Sequence, residues 1–167
     1  MEKLLLLVFI VLFVDSLIFI IVKTYNDLMR IKNELNSNYK DLNKEITYRM
    51  DLSKKYLDIV KGYLSSELND TVVETIAVFK NRVSIVDIAD SYYRINNCIT
   101  DMHKEISGSF AAPEWDKAFE ESYSRIEALR VVYDDNVLKM NNVIKLPGTS
   151  FIAKVFGFVK WPYFRNA

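Results

Sequence analysis

Few side chains in this sequence could take part directly in catalysis. Histidine, the commonest general acid or base near neutral pH, occurs once, at His103, and cysteine occurs once, at Cys98. Residues five positions apart do not share a helix face, so these two predict no catalytic or redox pair. A zinc site needs several such ligands, and none is expected here. The sequence therefore predicts no metal site.

The other polar features are typical of solvated helix surfaces. The acidic pairs Glu120-Glu121 and Asp134-Asp135 are adjacent in sequence, and adjacent side chains diverge by about 100° on a helix. The 4 glycines form no phosphate-binding loop. Lysine and arginine total 22, as do aspartate and glutamate, so no positive charge excess favours a nucleic-acid partner. We therefore predict a protein that is not an enzyme and has no cofactor.

A long apolar segment precedes the rest of the chain. From Leu4 to Val22 only Asp15 and Ser16 are polar, and the segment approaches the length of about 20 residues that crosses a bilayer core. A cleaved signal peptide, the alternative, would have a shorter apolar run and a small-residue cleavage site. No alanine occurs before Ala77. Residues 1–24 are therefore predicted to form an uncleaved, single-pass transmembrane anchor.

Asp15 lies near the middle of this segment, where an ionised carboxylate is costly. It predicts either a contact with another membrane helix or a polar residue that the helix tolerates without a partner. Four lysines and arginines lie within about 20 residues after the segment, against Lys3 alone before it. By the positive-inside rule, this difference favours a cytoplasmic C-terminal domain.

Beyond the anchor, apolar residues recur at helical intervals. If Ser53 fills one step, their mean spacing from Leu28 to Leu64 is about 3.6 residues, the α-helical period. No proline precedes Pro113 and no glycine precedes Gly62, so nothing interrupts a first helix that ends near Leu64. The apolar stripe consists of Leu28, Ile31, Leu35, Tyr39, Leu42, Ile46, Met50, Leu57, Val60 and Leu64.

Two further helices are predicted. After a reversal between Gly62 and Asp70, a second helix carries apolar residues on one face from Val72 to Val83, and on a face shifted in phase from Ile85 to Ile106. Pro113 suits the first turn of a third helix, which ends at Leu146-Pro147-Gly148.

These elements predict an all-α fold. A transmembrane helix continues into a long antiparallel up-down helical bundle of three main helices, residues 25–148, because short connections make consecutive helices antiparallel neighbours. A short C-terminal segment, residues 149–167, is predicted to pack on the bundle.

The C-terminal tail is rich in aromatic and basic residues and could dock on a membrane as an interfacial segment. With three helices of alternating direction, however, the tail would begin at the end far from the membrane, beside the turn near Gly62. We therefore expect the tail to cap the distal end of the bundle. The residues concerned are Phe151, Phe156, Phe158, Trp161, Tyr163 and Phe164, with Lys154, Lys160 and Arg165 between or after them.

Several short blocks of sequence follow one another in a recognisable order. They are Tyr25-Asn26-Asp27-Leu28, Arg49-Met50-Asp51-Leu52, Val60-Lys61-Gly62-Tyr63, Glu67, Arg130, Tyr133, Asn141, Pro147, Ala153, Gly157-Phe158 and Phe164. In this order, directly after an N-terminal anchor, the blocks resemble the LemA family of bacterial membrane-anchored proteins. The sequence departs from the family pattern at Met50, Lys54, Ser66, Asp134, Met140 and Leu146. The resemblance implies a helical bundle in the bacterial envelope.

Four polar residues match positions of that family, namely Arg49, Glu67, Arg130 and Asn141. Several lie on or beside the apolar stripes, and a buried charge must be paired. They therefore predict either a buried network that sets the register of the helices or a patch that binds a partner. An enzyme would need Arg49, Glu67 and Arg130 around one concave pocket.

Taken together, these features predict a membrane-anchored, non-enzymatic interaction or scaffold protein of the bacterial cell membrane. Its expected partners are the lipid bilayer and other membrane or envelope proteins. The alternative is a homo-oligomer that organises or shapes the membrane, for which Asp15 and the tail aromatics provide the motive. An enzyme built on the arginine and glutamate residues is the third hypothesis.

Overall fold

A computed structural model describes residues 1–82, 84–107 and 113–164. Within these ranges the chain forms five α-helices and no strand, which confirms the predicted all-α fold. Val83 of the predicted second helix and Arg165 of the tail lie outside the described residues. The elements are α1 (Glu2–Val60), a 3-10 turn (Lys61–Tyr63), α2 (Ser66–Lys80), α3 (Ile85–Ile106), α4 (Pro113–Val143) and α5 (Pro147–Val155).

Helix α1 is unbroken over 59 residues, as the absence of proline and early glycine predicts. Most of its apolar stripe after Leu28 is buried. Ser53 is buried at the one polar step, and its hydroxyl donates to the Arg49 carbonyl at 2.8 Å. Before the stripe, an 18-residue window has a mean hydropathy of 3.2, and none of it is buried. Within the described ranges, this is the one helix long and apolar enough to cross a membrane.

The prediction of one continuous second helix is wrong, because the chain reverses between α2 and α3. Ser84 caps α3 with a capping box. Its hydroxyl accepts a hydrogen bond from the Asp87 N–H at 3.2 Å, and its own N–H donates to the Asp87 carboxylate at 2.8 Å. These bonds satisfy N–H groups at the start of α3 that lack helical partners. The break lies where the apolar stripe changes phase.

Helices α2 and α3 pack against each other as an antiparallel hairpin. The Thr75 hydroxyl lies 3.9 Å from the Cys98 sulfur near the middle of the pair. At the open end, the Ser65 hydroxyl donates to the Glu105 carboxylate at 2.9 Å. The region predicted as one helix therefore contributes two packed helices to the bundle.

One compact unit contains Ser37–Asp134 together with residues 162–164. In it, α1 and α3 run parallel, whereas α2 and α4 run antiparallel to them, which makes an up-down-up-down four-helix bundle. Helix α3 is parallel to α1 because Arg49 contacts Asn96 and Tyr56 contacts His103. Helix α2 is antiparallel to both, because Arg82 at its end contacts Asn43 of α1 and Ser65 at its start contacts Glu105 of α3. Helix α4 is antiparallel to α1 because Glu45 contacts Arg125 and Tyr56 contacts Trp115.

A second compact unit contains Met1–Asn36 and Asp135–Trp161. In it, the Tyr25 ring lies 4.9 Å from the Phe156 ring and 5.9 Å from the Phe158 ring, measured between centroids. The prediction that the tail begins beside Gly62 is therefore wrong for this part of the tail. The physical reason is the additional reversal between α2 and α3, which makes α4 a returning helix.

The end of α5 is shaped by Gly157. Its φ of 71° lies in the left-handed region, which favours glycine. The Phe158 N–H donates to the Ala153 carbonyl at 2.8 Å, and the Gly157 N–H donates to the Lys154 carbonyl at 3.4 Å. This is the Schellman pattern of a helix C-terminus. It turns the chain so that Phe158 is buried and the Lys32 ammonium lies 5.8 Å from its ring centroid.

Candidate binding cleft around Arg49

Among the described residues, Arg49 is the one charged side chain that is buried, with 4% of its surface exposed. From α1 its Nε donates to the Asn96 side-chain oxygen on α3 at 2.7 Å. Its Nη1 donates to the Phe119 carbonyl on α4, also at 2.7 Å. The guanidinium carbon lies 5.6 Å from the centroid of the Phe119 ring and 5.8 Å from that of Tyr123. The guanidinium of Arg49 on α1 is thus hydrogen-bonded to both α3 and α4.

The charge of Arg49 is not matched by an acidic partner. Among residues 1–82, 84–107 and 113–164, no carboxylate oxygen lies within 4.0 Å of its nitrogens. Burial lowers the pKa of the Arg49 guanidinium, and the nearby Tyr92, Tyr123 and Glu120 act in the opposite direction. A buried charge is costly unless it is paired, so this position favours the arrival of an anionic group.

Arg49 also has unused donors. A guanidinium carries five N–H donors, and the hydrogen bonds to Asn96 and Phe119 use two of them. Within the described part of the chain, Nη2 makes no hydrogen bond. The two N–H groups of Nη2 are therefore free of protein acceptors among these residues and could donate to a carboxylate or a phosphate.

Arg49 lies at a cleft between α1, α3 and α4 with a volume of about 380 Å³. This volume is within the range of small-molecule and side-chain binding sites. Asp116 and Glu120 line the cleft together with Arg49, so a simple anion would meet repulsion from two carboxylates. A ligand that carries both a negative and a positive group suits this charge arrangement better. The lining residues are Arg49, Asn96, Ile99, Thr100, His103, Asp116, Phe119, Glu120 and Tyr123.

His103 is part of this cleft. Its Nδ1 lies 3.5 Å from a carboxylate oxygen of Asp116, and its ring lies 5.4 Å from that of Tyr56 between centroids. Its Nε2 is buried, and it has no hydrogen-bond partner in the described residues. Those residues contain no group of three or more histidine, cysteine, aspartate or glutamate side chains placed to hold a metal ion.

Cys98 lies away from the cleft, on the face of α3 that meets α2. The thiol is buried, and the nearest polar group is the Thr75 hydroxyl. Desolvation raises the pKa of the Cys98 thiol, with a smaller effect of Asp101 in the same direction. The thiol form is thus stabilised, which opposes a role as a nucleophile.

The other members of the polar set do not join Arg49. Glu67 is exposed in the first turn of α2, beside a different cleft of about 380 Å³ that Ser65 and Glu105 also line. Arg130 pairs with Glu127 at 2.8 Å and with Asp134 at 3.7 Å along α4. The pocket that an enzyme would need around Arg49, Glu67 and Arg130 is therefore not formed by these residues.

Arg130 belongs to a network beside the end of the described chain. Glu127, to which Arg130 donates, also accepts a hydrogen bond from the Tyr92 hydroxyl at 3.2 Å. Asp134 accepts the backbone N–H of Phe164 at 2.8 Å. The Phe164 ring is 5.9 Å from that of Tyr92 and is itself buried. This arrangement gives Arg130 a structural place in the four-helix unit.

Asn141 has a comparable place in the other unit. Its amide nitrogen donates to the Trp161 carbonyl, and its amide oxygen accepts the Trp161 N–H, both at 2.9 Å. One side chain therefore satisfies both backbone groups of Trp161. Asn141 is 8% exposed, so water competes little for these bonds.

Asp15 lies on the exposed apolar part of α1, and within the described residues it makes no hydrogen bond or ion pair.

The sequence singled out Arg49 but not its partners Asn96 and Phe119. Phe119 belongs to an apolar stripe and contributes through its backbone carbonyl, which carries no sequence signal. Asn96 follows Ile95 on α3, and a polar residue beside a packed seam is the one available clue.

Comparison with protein-family models gives no match for this chain, and comparison with curated proteins gives none either.

Proposed function

We propose that this chain is a membrane-anchored, non-enzymatic interaction protein of the bacterial envelope. We further propose that the Arg49 cleft receives an acidic group of a partner protein next to a basic group of the same partner, with the acidic group on Arg49 and the basic group facing Asp116 and Glu120. The observation that carries the proposal is the state of the Arg49 guanidinium, which is buried and has no carboxylate partner within the described residues. Its Nη2 atom makes no hydrogen bond there, so two N–H donors remain available. A charge-assisted hydrogen bond to such a group contributes about 1.5–3 kcal/mol, which is enough to decide whether a partner binds.

The anchor part of the proposal rests on α1. Its apolar segment is exposed along the whole window of highest hydropathy, and the same helix continues without a break into the buried stripe. Exposed apolar surface of this extent needs lipid or protein to cover it. The order of sequence blocks that resembles the LemA family supports a bacterial membrane, and the excess of lysine and arginine after the segment favours a cytoplasmic bundle.

A photo-crosslinking experiment tests the cleft. A photoreactive amino acid replaces Thr100, an exposed residue that lines the cleft, in the full chain in its native membrane. The control position is Val132, whose side chain is 48% exposed and points about 180° away from Tyr123 around α4. We expect a crosslinked product from position 100 that position 132 does not give.

The role of the guanidinium is tested in the same assay. Arg49→Gln should reduce the product from position 100 about tenfold or more, since about 1.4 kcal/mol corresponds to a factor of ten. Arg125→Gln is the matched control, because Arg125 is half exposed and already pairs with Glu45 at 3.1 Å. If both substitutions leave the product unchanged while the protein stays folded, the Arg49 cleft is not the binding site.

A homo-oligomer that organises or shapes the membrane is the second candidate, and Asp15 is the observation that favours it. A carboxylate without a partner on an apolar helix gains from pairing with a polar group of another membrane helix. Asp15→Leu should then convert an oligomer into a monomer, measured by light scattering in mild detergent. A wild-type protein that is already monomeric there would count against this candidate.

A further inference from the structure

Helix α5 exposes large apolar side chains beside Lys154 on the face opposite its buried one. Ile152 and Ala153 are buried, whereas Phe151 is 69% exposed and Val155 is 61% exposed. Phe151 and Val155 are four residues apart and therefore lie on one face of the helix. A helix on a soluble surface turns polar side chains outward. The outward face of α5 thus resembles a surface that another apolar phase covers.

The position of α5 identifies lipid as that phase. Tyr25 follows Val22, the last residue of the apolar segment, by about 4.5 Å along the helix axis. The Tyr25 ring is in contact with Phe156, at 4.9 Å between centroids. The headgroup layer of a bilayer is about 5–7 Å thick on each side. If α1 crosses the membrane, the end of α5 therefore lies at headgroup depth.

Charge supports the same occupant. No aspartate or glutamate occurs after Asp135, and the exposed Lys145, Lys154 and Lys160 lie before, within and after α5. Basic residues at a membrane surface are attracted by anionic headgroups. A second copy of this chain is a poorer occupant, because two such faces would bring lysines of like charge together.

We propose that residues 145–160 dock in the headgroup region of the leaflet from which α1 emerges, with Phe151 and Val155 among the upper acyl chains and the three lysines on anionic headgroups. This inference rests on the proposed anchoring of α1. It makes α5 a second membrane contact of the unit that contains the start of α1.

Site-directed spin labelling of the full chain in phosphatidylcholine vesicles with phosphatidylglycerol tests the proposal. The labels replace Phe151, Val155 or Val132 as single cysteines (Phe151→Cys, Val155→Cys, Val132→Cys) in a Cys98→Ala background. Collision with lipid-soluble oxygen is compared with collision with a water-soluble nickel complex. We expect oxygen to dominate at positions 151 and 155 and the nickel complex to dominate at position 132.

A label at position 13 (Phe13→Cys), inside the apolar segment, separates the two levels of the proposal. Oxygen access at 13 with nickel access at 151 and 155 would overturn the docking of α5 and leave the anchor intact. Nickel access at 13 as well would overturn the anchor. Protection of 151 and 155 from both reagents would indicate a protein contact and would also overturn the proposal.

Vesicles of different charge test the lysines. Leaving out phosphatidylglycerol should shift positions 151 and 155 towards nickel access, and the triple substitution Lys145→Gln, Lys154→Gln and Lys160→Gln should remove this dependence. An unchanged ratio with and without anionic lipid would show that the lysines do not bind headgroups.

Discussion

Replacing Asn141 by alanine tests how the C-terminal segment is held. The substitution removes two hydrogen bonds of 2.9 Å to the backbone of Trp161. A hydrogen bond contributes about 1 kcal/mol net, and a buried group left without a partner costs about 1–3 kcal/mol. Alanine returns roughly 0.5 kcal/mol through its higher helix propensity. We therefore expect the free energy of unfolding to fall by about 2 kcal/mol.

The assay is urea unfolding of the full chain in detergent, followed by the fluorescence of Trp161 in a Trp115→Phe background. With a denaturant slope of about 2 kcal/mol per molar urea, the midpoint should fall by about 1 M. Asn142→Ala is the matched control, since it makes the same chemical change one residue away on an exposed side chain. If Asn141→Ala and Asn142→Ala give the same midpoint, the two bonds to Trp161 contribute nothing and the reasoning fails.

Two further predictions concern Gly157 and the buried tyrosines. Gly157→Ala should lower the free energy of unfolding by about 1–2 kcal/mol, because the φ of Gly157 is 71°. Gly148→Ala, at an open helical position, is the control and should be neutral or slightly stabilising. Equal urea midpoints for the two variants would contradict this prediction. Desolvation raises the pKa of Tyr92 and of Tyr133 in the folded protein. The contribution of these two neutral phenols to the free energy of unfolding is therefore complete below the pKa of about 10 that tyrosine has in the unfolded chain. That contribution is lost as the pH rises beyond this value. Unfolding titrations from pH 9 to 11 should show this loss, and in Tyr133→Phe the slope should be smaller by up to about 1.4 kcal/mol per pH unit.

The cleft and α5 assign different tasks to the two compact units. The four-helix unit contains the Arg49 guanidinium and the cleft beside it. The other unit combines the start of α1 with the apolar and basic surface of α5. On this view, a loss of binding in Arg49→Gln and a loss of lipid contact in the lysine variants are separate effects, and each can be measured without the other.

Much of the helix assignment follows from local patterns. Periodicity at 3.6 residues identifies α1, and Ser53 fits the stripe because its hydroxyl bonds to the carbonyl one turn earlier. Pro113 begins α4 as predicted. The capping box at Ser84 is also local, but its meaning is ambiguous in sequence: a phase change in an apolar stripe can mark a bend in one helix or a reversal into two. A bend predicts three main helices and a tail that begins at the end far from the membrane, whereas the reversal brings Phe156 beside Tyr25.

The sequence by itself determined properties that depend on near neighbours along the chain, namely the helical period and the apolar segment before Lys23. Its single histidine and single cysteine also predict no zinc site built from those residues. Tertiary structure decided which helices run side by side. Because α2 and α3 fold back on each other, α4 returns and Phe156 packs beside Tyr25. The pairing of Arg49 with Asn96 and with the Phe119 carbonyl joins residues 47 and 70 positions apart. Contacts over such separations depend on the packing of whole helices, and no pattern of neighbouring residues encodes them.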